Sequence, residues 1–364
     1  MKIAVLVFAG AAAAACACSS NSPEASKTDA QYQAEVVRGM HQELVTDLTA
    51  LASASQDLRD TAPTPSGRGW DEAADAAALT AMREAWHRAR SAYERVEGAI
   101  APLFPDVDAM IDARYDDFLV ELGPGGDTNL FDDVGVTGMH GVERILYSKS
   151  TPARVIEFES ALPGYVPASF PASETEAADF KNKLCTKLAT DTQGLQQAWS
   201  AASNFDLAGA FAGLIALMSE QREKVDKAST NEEESRYAQN TMRDIRDNLA
   251  GTRAAYAHFQ PWIRSKTGPE AADSSESGAA LDERIMAGFA TLDVLYSAIP
   301  GDAIPETPAD FSAENPSAEN LATPFGQLYV GVRDAVDPDR PASVVHELNK
   351  AAVLLGFSEL TGAQ

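Results

Sequence analysis

The sequence predicts an all-α protein of two packed helical bundles, and three observations carry the helical assignment. Apolar residues recur at three- and four-residue steps nearly throughout from about Ala30; β-branched runs are scarce; and alanine dominates a composition that is 45% hydrophobic but only 7% aromatic. With 364 residues the chain has room for two domains or one large one. The periodic stretches are of bundle length and are joined by turns and a few long loops.

The N-terminus comes first. Lys2 precedes an apolar run from Ile3 to Ala15, too short to span a bilayer as a helix, and small residues lead into Cys16-Ala-Cys18-Ser-Ser. Residues 1–18 therefore read as an export signal. They resemble a bacterial lipoprotein signal, which implies lipidation at Cys16 or Cys18. Cys18 is favoured because a Ser/Asn/Pro-rich tether, residues 19–29, follows it. No aspartate follows either cysteine, which in lipoproteins goes with an outer-membrane destination. Cys185 is then the sole cysteine of the exported body, so no structural disulfide is expected, and its apolar setting reads as a small buried hydrophobe.

Residues 30–263 read as the main helical region. Tyr32, Val36, Met40, Leu44, Leu48 and Leu51 form the first stripe, and two prolines and two glycines between Thr61 and Gly69 form a loop. Asp71 is the expected N-cap of a helix to about Ala101, with Leu79, Met82, Trp86, Tyr93 and Ile100 on one stripe, broken by Pro102 and Pro105. A helix over 106–121 closes at Gly123-Pro-Gly-Gly126. Further helices are predicted over 135–148, 173–202, 205–227 and 231–263, with a Pro-rich loop at 160–172. Residues 264–280 are a linker. Residues 281–364 hold helices at about 281–298, 324–336 and 342–356 that complete the second bundle, with a Pro/Glu/Ser-rich loop at 300–323 and Ser343 as a cap.

The charge narrows the function. A formal net charge of −25, from 54 acidic and 29 basic residues, repels phosphate backbones and argues against nucleic-acid binding. Excess carboxylate suits a cation as partner, and it also simply keeps an exported protein soluble.

Several carboxylates have the spacing of ligands. His140 and Glu143, in Gly138-Met-His-Gly-Val-Glu143, lie three apart on a helix and share a face. Glu94 and Glu97 do the same on the long helix, where a salt-bridged acidic face with Arg90 or Arg95 is the alternative. Asp106, Asp108 and Asp112 follow; the first two are also what a helix N-terminus favours, whereas Asp112 is not so explained. Glu232 to Glu234 read as first-turn acids of a helix, and Asp244 and Asp247, alternating with Arg243 and Arg246, as a solvated face. The chain has no HExxH, GxSxG, Walker loop or CxxCH.

Three stretches together resemble the imelysin-like (peptidase M75) family, closest to the M75-only EfeO/EfeM-type iron-uptake lipoproteins. They are Trp86-x-x-Ala89-Arg-x-x-Tyr93-Glu-Arg-Val-Glu97 continuing to Asp112, the GxHxxE motif at Gly138 to Glu143, and Glu232-Glu-Glu-Ser-Arg-Tyr237 leading to Asn248. The resemblance covers about Ala30 to Leu360. After Tyr237 the chain reads Ala-Gln-Asn-Thr, where the EfeO-like pattern has Ser-His-Thr-Asp. It implies a bilobal all-α fold with a metal site in a cleft between helices, held by His140, Glu143, Glu94, Glu97, Asp112 and Glu234, or Glu233 if the register slips by one. It implies iron, or another divalent cation such as zinc, as ligand, an inner-membrane iron permease and a Dyp-type peroxidase as partners, and a periplasmic location with membrane contact only through the lipid. The peptidase label implies a metallopeptidase as the alternative, with Glu143 as base, although one histidine is a thin zinc site. A metal-free surface-binding lipoprotein is the third reading.

Overall fold

The computed structural model describes residues 27–267 and 277–357. The signal with Cys18, most of the tether and the middle of the predicted linker lie outside them. Every regular element among the described residues is helical: α1 Asp29–Thr61, α2 Ala76–Leu103, α3 Pro105–Asp112, α4 Tyr115–Leu122, α5 Gly138–Leu146, α6 Ala153–Ser160, α7 Glu174–Asp179, α8 Cys185–Ala201, α9 Leu207–Ala228, α10 Thr241–Ser265, α11 Gly278–Ser297, α12 Ala318–Leu321, α13 Pro324–Val336 and α14 Val344–Leu354. A π-turn at Phe180–Leu184 joins α7 to α8, so the predicted helix over 173–202 is continuous but locally underwound. None of these helices is long and apolar enough to cross a membrane.

Helix α1 packs against both α2 and α8 on one side, and α9, α11, α13 and α14 pack together on the other. Helix α10 touches α1, α2, α9 and α11, and α2 touches α9, so the two bundles share a continuous apolar core. The contact of α2 with α9 is unusually close. A Cβ on Gly213 would fall 1.8 Å from the carbonyl oxygen of Gly98, so only glycine fits that crossing. Close approach there brings the acidic face of α2 beside the polar end of α9.

Four expectations are corrected. Asp71 caps a turn before α2, accepting from the amides of Ala73 and Ala74, and the helix proper begins five residues later. Pro102 does not break α2 but sits in its last turn. The helix expected over 106–121 is two helices at an angle, because Ala113 and Arg114 adopt extended backbone. The helix expected over 231–263 starts only at Thr241. Residues 229–240 are a folded turn segment with positive φ at Asn231 and Gln239, so Glu232 to Glu234 open no helix.

Candidate metal centre

The polar stripe of α2 carries the first half of the site. Arg90, Glu94 and Glu97 lie on the same face as Trp86 and Tyr93, and all are buried. The indole of Trp86 donates to the carbonyl of Met139 at 3.1 Å, which fixes α5 against α2. Helix α3 brings Asp108 and Asp112, α5 brings His140 and Glu143, α9 brings Glu220 and Lys224, and the turn segment brings Glu234. Helix α10 closes the back with Asp244 and Asn248. Asp244 and Asp247 are buried, so the solvated face expected there is corrected.

Three donor atoms of Asp112, His140 and Glu234 lie within 4.8 Å of one another. His140 Nε2 stands 3.5 Å from Asp112 Oδ1 and 3.6 Å from Glu234 Oε1. Metal–ligand bonds of about 2.1 Å at tetrahedral angles separate donors by about 3.4 Å, so the spacing suits one small cation. Nε2 is buried and has no hydrogen-bond partner. Its orientation is set from behind: Nδ1 meets Glu143 Oε2 at 2.8 Å, and Glu143 Oε1 accepts the amides of Tyr237 and Ala238 at 3.1 and 2.8 Å. Glu143 thus positions the imidazole and pins the turn segment, as a carboxylate behind a ligating histidine does. It does not face the cluster.

Glu234 faces the cluster and Glu233 does not. Glu233 accepts from Arg154 at 2.6 Å, from Gln239 at 3.0 Å and from Thr241 at 3.2 Å. Glu94 and Glu97 sit one turn farther along α2, bridged by the Asn248 amide at 2.6 and 2.8 Å, which Gln221 supports in turn. Asp106 is an exposed first-turn acid of α3.

Two buried cations, which sequence reasoning treated as surface partners or left aside, complete the cluster. The Arg90 guanidinium pairs with Glu94, Asp112, Glu234 at 3.2 Å and Asp244 at 3.7 Å. The Lys224 ammonium lies 3.4 Å from Glu94, 3.5 Å from Glu234 and 3.8 Å from Glu97. These charges sort the carboxylates. Burial opposes ionisation of Glu234, yet Lys224, His140, Arg114 at 3.8 Å and Arg90 pull its pKa well below the usual range; Asp112 is likewise lowered against burial, chiefly by Arg90. Burial and the Arg90 charge oppose protonation of His140, but Asp112, Glu143 and Glu234 outweigh them and hold its pKa well above 6.5. Burial pushes Glu97 well up, and pushes Asp108 and Glu220 to about 7 and Asp244 to about 8. A cleft of about 380 Å³ leads to this cluster, lined by eight carboxylates, Asp112 and Glu234 among them, and by Arg114, Lys224 and Lys227.

Fold and site define the class: an all-helical protein with a buried set of carboxylates, one imidazole and two internal cations between its helices. The chain belongs to the imelysin (peptidase M75) family, whose profile matches residues 37–328. It is 28% identical over 229 residues to the iron uptake system component EfeO of Yersinia pseudotuberculosis, covering 62% of this chain and 46% of that one. It is 25% identical over 245 residues to EfeO of Escherichia coli, covering 67% and 52%. The chain therefore spans about half the length of the curated relatives it matches. A crystal structure of an imelysin-like protein from Psychrobacter arcticum has the same fold, with a TM-score of 0.56 at 12% identity over 91% of this chain and 98% of that one.

Proposed function

We propose that the protein is a metal-binding lipoprotein of the cell envelope that binds and delivers iron in an EfeUOB-like uptake system. The observation that carries this reading is the convergence of Asp112, Glu234 and the buried Nε2 of His140, which stands 3.5 and 3.6 Å from those two carboxylates, at the end of an acidic cleft. Those three supply the donors, Glu143 orients the imidazole, and Glu94 and Glu97 add negative charge beside them. Two carboxylates and one imidazole suit ferrous or ferric iron and also accept zinc; the EfeO relatives favour iron. Delivery would be to an inner-membrane permease, with a Dyp-type peroxidase as a further partner. Cys18 would carry the lipid, facing the periplasm from the outer membrane.

The geometry supports carriage better than hydrolysis. Glu143, the expected base, is committed to His140 and two backbone amides. The test is to purify the protein without chelator, measure bound metal by elemental analysis, and titrate iron and zinc into the metal-free form. Binding that weakens at least tenfold in His140→Ala and Asp112→Asn supports the reading. No binding, or binding unchanged in both variants, overturns it.

A further inference from the structure

Lys224 is placed where a cation-binding pocket would be expected to hold none. It projects from α9 into the gap between the α2 carboxylates and the turn segment, and it is 4% exposed. Its ammonium touches three carboxylates at 3.4 to 3.8 Å. Glu234 joins the two halves of the pocket: Oε1 faces His140 and Arg90, and Oε2 faces Lys224. A cation drawn to Oε1 therefore competes with Lys224 for the same carboxylate.

The two internal cations differ in what they are able to do. Arg90 has a rigid planar fork spread over four carboxylates, is fully buried, and does not line the cleft. Lys224 has a single compact charge on a four-carbon stem and lines the cleft. Glu220, one turn earlier on α9, lines the same cleft, and a lysine at i+4 can reach it. The ammonium therefore has a further carboxyl partner along the cleft, reached without any helix moving.

Resting on the iron-binding reading above, we infer that Lys224 is a resident counter-ion of the pocket, and that a metal cation enters by exchange with its ammonium. In the metal-free protein the lysine keeps Glu94, Glu97 and Glu234 from repelling one another. When a cation of higher charge arrives, the ammonium leaves toward Glu220, and it returns when the metal departs. A built-in competitor weakens binding by a fixed factor and lets the site empty cleanly, which a delivery protein needs. It also disfavours monovalent ions, which offer the carboxylates no more charge than the lysine already does.

The experiment compares the unaltered chain with Lys224→Met and Lys224→Gln, titrating Fe(II) without oxygen and Zn(II), and recording thermal unfolding with and without metal. Removing the competitor is expected to tighten metal binding at least tenfold in both variants. The metal-free variants should melt lower than the parent and the loaded ones should recover. Lys224→Gln keeps an amide donor to the carboxylates, so it reports even if the methionine variant does not fold. Equal or weaker affinity in a folded variant, with the parent binding normally, overturns the exchange while leaving the iron reading intact. Binding seen only after Lys224 is replaced supports the lysine as competitor. Absence of binding in all three chains overturns the iron reading and the exchange with it.

Discussion

Gly138, the first glycine of the GxHxxE motif, should control both stability and the metal site. Its φ is +73°, a conformation that alanine adopts at a penalty of about 1–2 kcal/mol. A Cβ there would also stand 2.6 Å from the carbonyl oxygen of Ile111 and 2.8 Å from that of Met110, both backbone atoms of α3. Relieving such overlap means parting α3 from α5 by about half an ångström, and overpacking of this kind costs about 1–3 kcal/mol. Gly138→Ala should therefore lose about 2–5 kcal/mol, which for a chain of this size lowers the melting temperature by roughly 3–7 °C. The same displacement moves Asp112, at the end of α3, away from His140 on α5, so metal affinity should fall about tenfold or more. Gly67→Ala is the control, since Gly67 has φ +81° with nothing within 4 Å of a Cβ and reports the backbone term alone. The assays are thermal unfolding of the metal-free protein and calorimetric metal titration. If Gly138→Ala melts no lower than Gly67→Ala and binds metal as the parent does, close approach of the two helices does not set the site.

Other outcomes follow from the same geometry. Arg90→Met leaves Glu94, Asp112, Glu234 and Asp244 without their shared partner, so denaturant unfolding should show a loss of about 3–5 kcal/mol, partly restored by a bound divalent cation. The metal-free protein should lose stability as pH rises from about 5 to 8, above the range in which Asp112, Glu234 and the other carboxylates with lowered pKa would titrate in the unfolded chain. Asp108, Glu220 and Asp244 keep their protons longer when folded than when unfolded, and His140 also binds its proton more tightly when folded, so over that window the folded state holds more protons. Urea midpoints at pH 5, 6.5 and 8 check the sign, and a midpoint that rises with pH would contradict it. In a chain lacking residues 1–18, Cys185 is the sole thiol; burial raises its pKa, so a disulfide reagent should label it only at the rate of unfolding.

How far the sequence was legible depended on what each residue type reveals. Helix α13, Pro324–Val336, has the predicted bounds because Thr323 caps it and Pro324 occupies its first turn. Ser343 caps α14 as expected, accepting from the amide of His346. The turn segment before α10 was not legible, since an acid-rich run followed by periodic apolar residues reads as a helix start. What holds it out of the helix is tertiary: Glu143 takes the amides of Tyr237 and Ala238, and Arg236 pairs with Asp116 of α4 at 2.9 Å. Arg90 did leave a signal. It falls with Glu97 on the stripe of Leu79, Met82, Trp86, Tyr93 and Ile100, and charges on an apolar stripe are either errors of register or buried partners. Lys224 left a weaker one, because the apolar pattern of α9 thins toward its C-terminal end, where a lysine reads as helix-dipole compensation.

The buried cations bear on how the proposed carriage would work. A pocket of unopposed carboxylates in a low-dielectric interior would either stay protonated or hold its metal too tightly to release it. Here Arg90 offsets part of the charge permanently, and it sits where no solvent reaches it. Asp112 is kept ionised by that charge and by His140, and Glu234 chiefly by Lys224, while Glu97, Asp108 and Glu220 lie toward the cleft with pKa values raised by burial. In the proposed carriage an incoming cation would therefore meet first Asp108 and Glu220, whose carboxyls give up protons near neutrality, and then the ionised pair beside His140. On that proposal, binding would release protons in this order, and acidification would reverse it from the outside inward.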